Sequence, residues 1–174
     1  MSNVAQEHPP ATENGDAFAP LSDEMIHRHG KEPGAPAPTD VDELRDELGD
    51  LAGNLTEIAC TLELLAEGTG TDPLSGFLWG LYGVASRADS RLSEAVDALE
   101  GGHTDNVAHR IEDVGAMALH LNNALRLAWE TAEAGGAASE MRSGAFAVAS
   151  NAADYVQERL DFLLYEADLS YLDE

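Results

Sequence analysis

Three side chains capable of metal or proton chemistry lie in the second half of the chain: His109, Asp113 and His120. Spacings of four and seven residues place them on one face of a helix, where imidazole and carboxylate groups converge to bind zinc or relay protons. The apolar residues Ile111 and Val114 flank this row instead of including it, which favours solvated side chains. We therefore predict no metal site and keep the row as a minor alternative.

Other catalytic or cofactor-binding patterns are weak. The Glu-x-x-His pattern of di-metal helical bundles occurs only at Glu24 and His27, in a proline-rich stretch that forms no bundle core. Cys60 has no histidine or lysine near it in the sequence to activate its thiol. The glycines Gly68 and Gly70 lack the following lysine of a phosphate-binding loop. We expect no enzyme activity and no cofactor.

Carboxylates dominate the chemistry of this chain. Its 174 residues include 33 Asp and Glu against 9 Lys and Arg, with a formal net charge of -24 and a pI near 4.2. Nucleic-acid binding needs a basic face, which nine scattered cations do not supply, so we expect no direct contact with nucleic acid. Self-repulsion of this size opposes folding and calls for a reason, which is either solubility or a strongly positive partner.

Two concentrations of carboxylates are predicted to form a partner-binding acidic surface. The first lies at the start of the first helical segment and comprises Asp40, Asp42, Glu43, Asp46, Glu47 and Asp50. The second lies in the last helical segment and comprises Glu158, Asp161 and Glu166. Such carboxylates repel one another across a helical turn instead of pairing. Rigid rows of them match the charge pattern of phosphates and can occupy a groove built for phosphates.

Four amphipathic helices must position these groups. Apolar residues recur mostly at alternating spacings of three and four, which is typical of helix-bundle packing. The predicted helices span about 40–67, 73–100, 105–134 and 139–167. Because short glycine-containing turns join antiparallel neighbours, the predicted fold is all-α: an antiparallel four-helix bundle made of two αα-hairpins.

The residues predicted to face the core form one apolar row in each helix. In chain order the rows are Val41, Leu44, Leu48, Leu51, Leu55, Ile58, Leu62 and Leu65; Leu74, Leu78, Leu81, Ala85, Ala88, Leu92, Ala95 and Leu99; Val107, Ile111, Val114, Ala118, Leu121, Leu125, Ala128 and Ala132; and Ala145, Ala149, Ala152, Val156, Leu160 and Leu163. The two hairpins also resemble each other, since residues 83–99 align with residues 147–163 at an offset of 64 with seven identities. Internal duplication of one hairpin and chance likeness between alanine-rich helices both remain open.

The N-terminal part differs in character, because six of the seven prolines fall in the first 38 residues. Proline removes a backbone donor and disfavours helix in the preceding residue, so we predict a disordered or loosely docked arm over 1–38 and a bundle over 39–174. The N-terminus lacks the cations and apolar run of a secretory signal, and the longest uncharged stretch, 73–86, is too short to span a bilayer. We expect a cytoplasmic protein without a membrane partner.

The same uncharged stretch is the best candidate for self-association. It contains Gly76, Gly80 and Gly83 on the side opposite the core-facing leucines, bordered by Phe77, Trp79 and Tyr82. Each glycine inside a helix costs about 1 kcal/mol relative to alanine, and close approach of another helix would compensate for that cost. We expect a homodimer contact here, with intramolecular packing of the same strip as the alternative.

Shape and charge together predict a non-catalytic binding protein whose acidic helices neutralise or inhibit a basic protein partner, for example a nucleic-acid-binding protein. An inhibitor, an immunity or antitoxin-like protein and a nucleic-acid mimic all fit this description. The alternative is a structural or scaffolding homodimer whose acidity serves only solubility. A metal- or ligand-binding bundle that uses the row of His109, Asp113 and His120 ranks third.

Overall fold

The structure, a computed structural model, describes residues 35–69, 73–133 and 140–173. Within these residues the chain forms four α-helices, α1 to α4, at Val41–Thr69, Pro73–Glu100, Val107–Glu133 and Glu140–Tyr165, and a short 3-10 helix at Ser170–Asp173. The predicted all-α fold is confirmed, and each helix boundary lies within two residues of its prediction. The predictions for residues 1–34, among them Glu24 and His27, lie outside the described residues.

The helices pack as two antiparallel hairpins, α1 with α2 and α3 with α4, and these are the most extensive contacts between helices. α2 also packs along α3, while α1 and α4 form the smallest of the four interfaces between neighbours. The antiparallel order brings the start of α1, the end of α2, the start of α3 and the end of α4 to one end of the bundle. Duplication of one hairpin stays a prediction.

The predicted apolar rows form the core. Row residues are buried from Leu44 to Leu62 in α1, throughout Leu78 to Leu99 in α2, and from Val107 to Ala128 in α3. The row of α4 needs one correction, because Phe146 and Ala153 are buried while Ala145 is only half-buried. Alanines occur on several faces of α4, so their spacing does not define which face turns inward, and the bulky phenylalanine decides it.

The turn between α2 and α3 shows why glycine stands where α2 ends. Gly102 has a φ of 71°, in the left-handed region that residues with a side chain rarely adopt. The N–H of His103 donates to the carbonyl of Ala98 at 2.7 Å, and the N–H of Gly102 donates to that of Leu99 at 3.0 Å. These two bonds form a Schellman cap. α3 begins two residues later than predicted because Asn106 also has a left-handed φ, of 66°.

Residues 35–38, assigned to the arm, contact the bundle closely. Pro38 is buried, and the carbonyls of Ala35, Pro36 and Pro38 all accept hydrogen bonds from side chains near the C-terminus. The folded unit therefore includes these residues. None of the helices in the described residues combines the length and the apolar character that a membrane-spanning helix requires.

Candidate functional site

Most of the negative charge lies in one half of the bundle. This half, built from residues 35–54, 87–120 and 153–173, is named the acidic end, and the remaining described residues are named the apolar end. Nineteen Asp and Glu residues belong to the acidic end and six to the apolar end. Because successive helices run in opposite directions, acidic segments that are far apart in the sequence converge at one end.

Two of the predicted binding carboxylates, Asp40 and Glu43, cap the start of α1. Asp40 Oδ1 accepts a hydrogen bond from the N–H of Glu43 at 2.9 Å. Glu43 Oε2 accepts from the N–H and the hydroxyl of Thr39 at 2.8 and 3.0 Å. This arrangement resembles a capping box, which satisfies backbone donors at a helix start. Both carboxylates therefore have a structural task.

Arg45 lies between the next two carboxylates, Asp42 and Asp46. Its Nη1 is 2.8 Å from Asp42 Oδ1, and its Nη2 is 2.9 Å from Asp46 Oδ1. The hydrogen bond with Asp46 raises the pKa of Arg45 above its ordinary value. Exposed ion pairs contribute little to stability, but these two offset part of the negative potential predicted for the row.

Glu47 does not lie on the predicted acidic surface, and its assignment to partner binding is corrected here. Glu47 is 3% exposed, and its Oε1 accepts a hydrogen bond from Nε of Arg159, which is 5% exposed. A buried carboxylate needs a charge partner because low-dielectric surroundings penalise an isolated ion. The tertiary structure therefore uses Glu47 inside the molecule.

The same guanidinium holds the N-terminal residues against the helices. Arg159 Nη1 donates to the carbonyl of Ala35 at 2.9 Å, and Nη2 donates to that of Pro36 at 3.0 Å. Its Cζ lies 4.5 Å from the centre of the Phe162 ring. Glu47, Arg159 and the two carbonyls are named the clasp, which ties α1, α4 and residues 35–36 together where the helix contacts are least extensive.

Sequence reasoning missed the clasp, although a signal for it exists. Glu47 directly precedes the buried Leu48, and Arg159 directly precedes the buried Leu160. Side chains at such positions leave their helices at the edge of the core. An acid and a base at the core edges of the first and last helices are the pattern that points to a buried pair.

Tyr171 makes a second contact with the N-terminal residues. Its hydroxyl donates to the carbonyl of Pro38 at 3.5 Å. Burial of the phenol, together with the negative charges of Asp40, Glu47 and Glu43, raises the pKa of Tyr171 from 10.0 to about 12. The neutral phenol is therefore the form that the folded protein favours.

We expect the stabilising effect of Tyr171 to be lost at high pH. Below pH 10 the phenol is protonated in both the folded and the unfolded chain, so its contribution to the free energy of unfolding is complete. Between pH 10 and about 12 the phenol of the unfolded chain ionises while that of the folded chain stays protonated, so the free energy of unfolding falls. Urea unfolding across this range should therefore show a steeper loss for the wild type than for Tyr171→Phe, which has nothing to titrate at this position. Equal losses in the two proteins would contradict the assignment.

Seven of the nine predicted binding carboxylates are exposed at the acidic end, and three of them, Asp50, Glu158 and Glu166, do not belong to the capping and ion-paired groups described above. Within the described part of the chain, no capping contact or ion pair involves their carboxylates. Asp161 is half-buried, and its Oδ2 accepts a hydrogen bond from Gln157 Nε2 at 3.5 Å. Of the nine predicted carboxylates only Glu47 is therefore buried, and the three without a capping contact or ion pair lie on α1, on α4 and just past the end of α4.

The predicted self-association strip lies on the surface of the apolar end. Phe77 and Trp79 are exposed, and the Trp79 ring meets that of Tyr82 edge to face, with centroids 5.5 Å apart. A Cβ atom added at Gly76, Gly80 or Gly83 would have nothing within 4 Å. Among the described residues, then, no intramolecular contact compensates for the three glycines.

The histidine row does not assemble into a metal site. His109 Nδ1 lies 3.6 Å from Glu112 Oε2, and its Nε2 lies 3.9 Å from Asp113 Oδ2. The ring of His120 instead meets its own helix, with Nδ1 2.6 Å from the carbonyl oxygen of Ala116. In the described ranges, no group of three or more His, Cys, Asp or Glu side chains is placed to hold a metal ion.

Comparison of the chain with protein-family models, with curated proteins and with solved structures returns no significant match.

Proposed function

We propose that this is a non-catalytic binding protein whose acidic end docks onto a basic protein partner and neutralises it. The partner's contact surface would be rich in Lys and Arg, as the surfaces of nucleic-acid-binding proteins are. A cytoplasmic location is part of the proposal, and the exposed free thiol of Cys60 suits a reducing compartment.

The observation that carries the proposal is the uneven distribution of charge along the bundle. Acidic residues that served solubility alone would need no preferred end, whereas here the acidic end holds nineteen carboxylates and the apolar end six. Charge of one sign collected at one end steers an oppositely charged partner to that end and accelerates association. Asp50, Glu158 and Glu166 are the carboxylates we assign to the contact.

A pair of charge-matched variants tests the proposal. The first reverses Asp50, Glu158 and Glu166 to Lys at the acidic end. The control reverses three carboxylates of the apolar end, Glu57, Glu63 and Glu130, and changes the net charge by the same amount. Wild type and both variants are immobilised, and the proteins that they capture from a lysate of the source organism are identified at low and high salt.

We expect the wild type and the control to capture the same basic protein and the acidic-end variant to lose it. With the captured protein purified, the acidic-end reversal should weaken the dissociation constant by about tenfold or more, since three exposed charges are reversed. Rising salt should weaken wild-type binding because it screens surface charge. Equal binding by all three proteins, or captured proteins without a basic surface, would refute the proposal.

A structural or scaffolding homodimer is the second candidate function. The observation that favours it is the exposure of Phe77 and Trp79 beside an open glycine strip. In this case the acidity serves solubility, and both charge variants would lose solubility to the same degree without losing a basic partner.

A further inference from the structure

We propose that the outward face of α2 at the apolar end pairs with the same face of a second copy of the chain, with the two α2 helices antiparallel. The contact lies away from the acidic end. It holds whether or not the acidic end binds a basic partner.

The face is apolar, exposed and smooth. Four of the six large apolar side chains that are exposed among the described residues lie at this end: Leu64, Phe77, Trp79 and Leu127. Between the aromatic side chains, the positions of Gly76, Gly80 and Gly83 are open, so another helix backbone can approach closely. Aromatic side chains that gain such a neighbour contribute both buried area and ring contacts.

The distribution of charge favours a second copy of the chain as the partner that covers this face. The chain carries a net charge of -24, yet no residue from 73 to 86 is charged. Two copies that met through their acidic ends would bring rows of carboxylates together, at a cost in free energy. Pairing through the apolar ends holds the two acidic ends apart, so this face permits self-association where the other end opposes it.

The residues that border the face determine the direction of pairing. Arg87 lies at one border, and its Nε donates to the carbonyl of Gly83 at 3.1 Å, which lays the guanidinium back along the face. Glu67 lies exposed in the last turn of α1, six residues before α2 begins at Pro73. An antiparallel pair brings each Arg87 near Glu67 of the second copy, whereas a parallel pair sets Arg87 against Arg87.

The size of the face sets the strength of the dimer. Phe77 and Trp79 of the face, together with Leu64 of α1 and Leu127 of α3 at the same end, present at most roughly 400 Å² of apolar surface. A stable interface of standard size buries about 800 Å² on each partner. We therefore expect a reversible dimer with a dissociation constant on the order of micromolar.

Sedimentation equilibrium of the full chain over about a hundredfold range of concentration tests the pairing. We expect a monomer–dimer equilibrium for the wild type and a dissociation constant at least about tenfold weaker for Trp79→Ala. Leu119→Ala serves as the matched control, because Leu119 and Trp79 are both 42% exposed but Leu119 lies at the acidic end, away from the face. This control should dimerise like the wild type, and circular dichroism should show equal helix content in all three.

Charge exchange across the contact tests its direction. Arg87→Glu alone and Glu67→Arg alone should each weaken the dimer by roughly tenfold, because each change alters two symmetry-related pairs. The double variant should restore the wild-type dissociation constant. The proposal is overturned by a wild type that stays monomeric at every concentration, by an unchanged mass in Trp79→Ala, or by a double variant no stronger than the single ones. No basic partner is present in these measurements, so their failure removes the homodimer named as the second candidate function but leaves the proposed binding of a basic partner standing.

Discussion

Arg159→Ala should lower the free energy of unfolding by about 3–5 kcal/mol, the largest effect we expect from any single change to a charged residue. The substitution leaves the Glu47 carboxylate buried without the guanidinium that now bonds it. It also removes the donors to the carbonyls of Ala35 and Pro36, which hold the N-terminal residues on the bundle. Urea unfolding followed by circular dichroism measures the loss.

Two further variants separate the buried charge from the general effect of losing an arginine. Arg91→Ala removes a half-exposed arginine that pairs with Glu94 at 3.1 Å, and its effect should stay within about 0.5 kcal/mol. The double variant Glu47→Leu with Arg159→Met replaces both charges with apolar side chains and should recover most of the lost stability. An Arg159→Ala protein as stable as Arg91→Ala would show that the clasp does not stabilise the fold.

Phe146→Ala should cost about 3–5 kcal/mol of unfolding free energy, because it removes a large buried side chain and leaves a cavity that its neighbours fill only in part. Phe146 is 1% exposed and is among the largest fully buried side chains. It stands in a helix whose core row otherwise begins with alanines, so few bulky side chains are available to fill the space. Thermal and urea unfolding of the variant measure the cost.

Tyr165→Ala is the matched control, since it also removes an aromatic ring from α4. Tyr165 is 77% exposed at the last position of the helix, and its loss should change stability by no more than about 0.5 kcal/mol. Similar losses in the two variants would mean that Phe146 is not a core residue. The original prediction for α4, with Ala145 facing inward, would then be correct.

The sequence predicted the helices and most of the core well because these depend on local patterns. Leucines at alternating spacings of three and four allow only one face of α1 to be buried, from Leu44 to Leu62, and that face is buried. Gly102 marks the end of α2 because the left-handed conformation of the cap favours glycine there. In α4 the pattern was weaker, since alanine is small enough to sit on any face, and Phe146 was overlooked.

The acidic row of α1 shows the limit of such reasoning. In the sequence its six carboxylates look equivalent, whereas in the structure Asp40 and Glu43 cap a helix and Glu47 is buried. Asp42 and Asp46 pair with Arg45, so only Asp50 of this row is exposed with neither a capping contact nor an ion pair among the described residues. The burial and the hydrogen bonds of these carboxylates differ because each depends on the residues that the fold places beside it, above all Arg159 of the last helix for Glu47.

By itself, then, the sequence determined that α1 to α4 form, where α2 ends, and which faces of the first three helices turn inward, since helix periodicity, capping and burial of leucine act between residues a few positions apart. Only the tertiary structure decided that residues 35–38 join the bundle, that Glu47 is an internal group, and that carboxylates gather at one end while Trp79 stays exposed at the other. Those outcomes depend on which helix ends meet, and charge and burial act through space on whatever side chains the packing brings together.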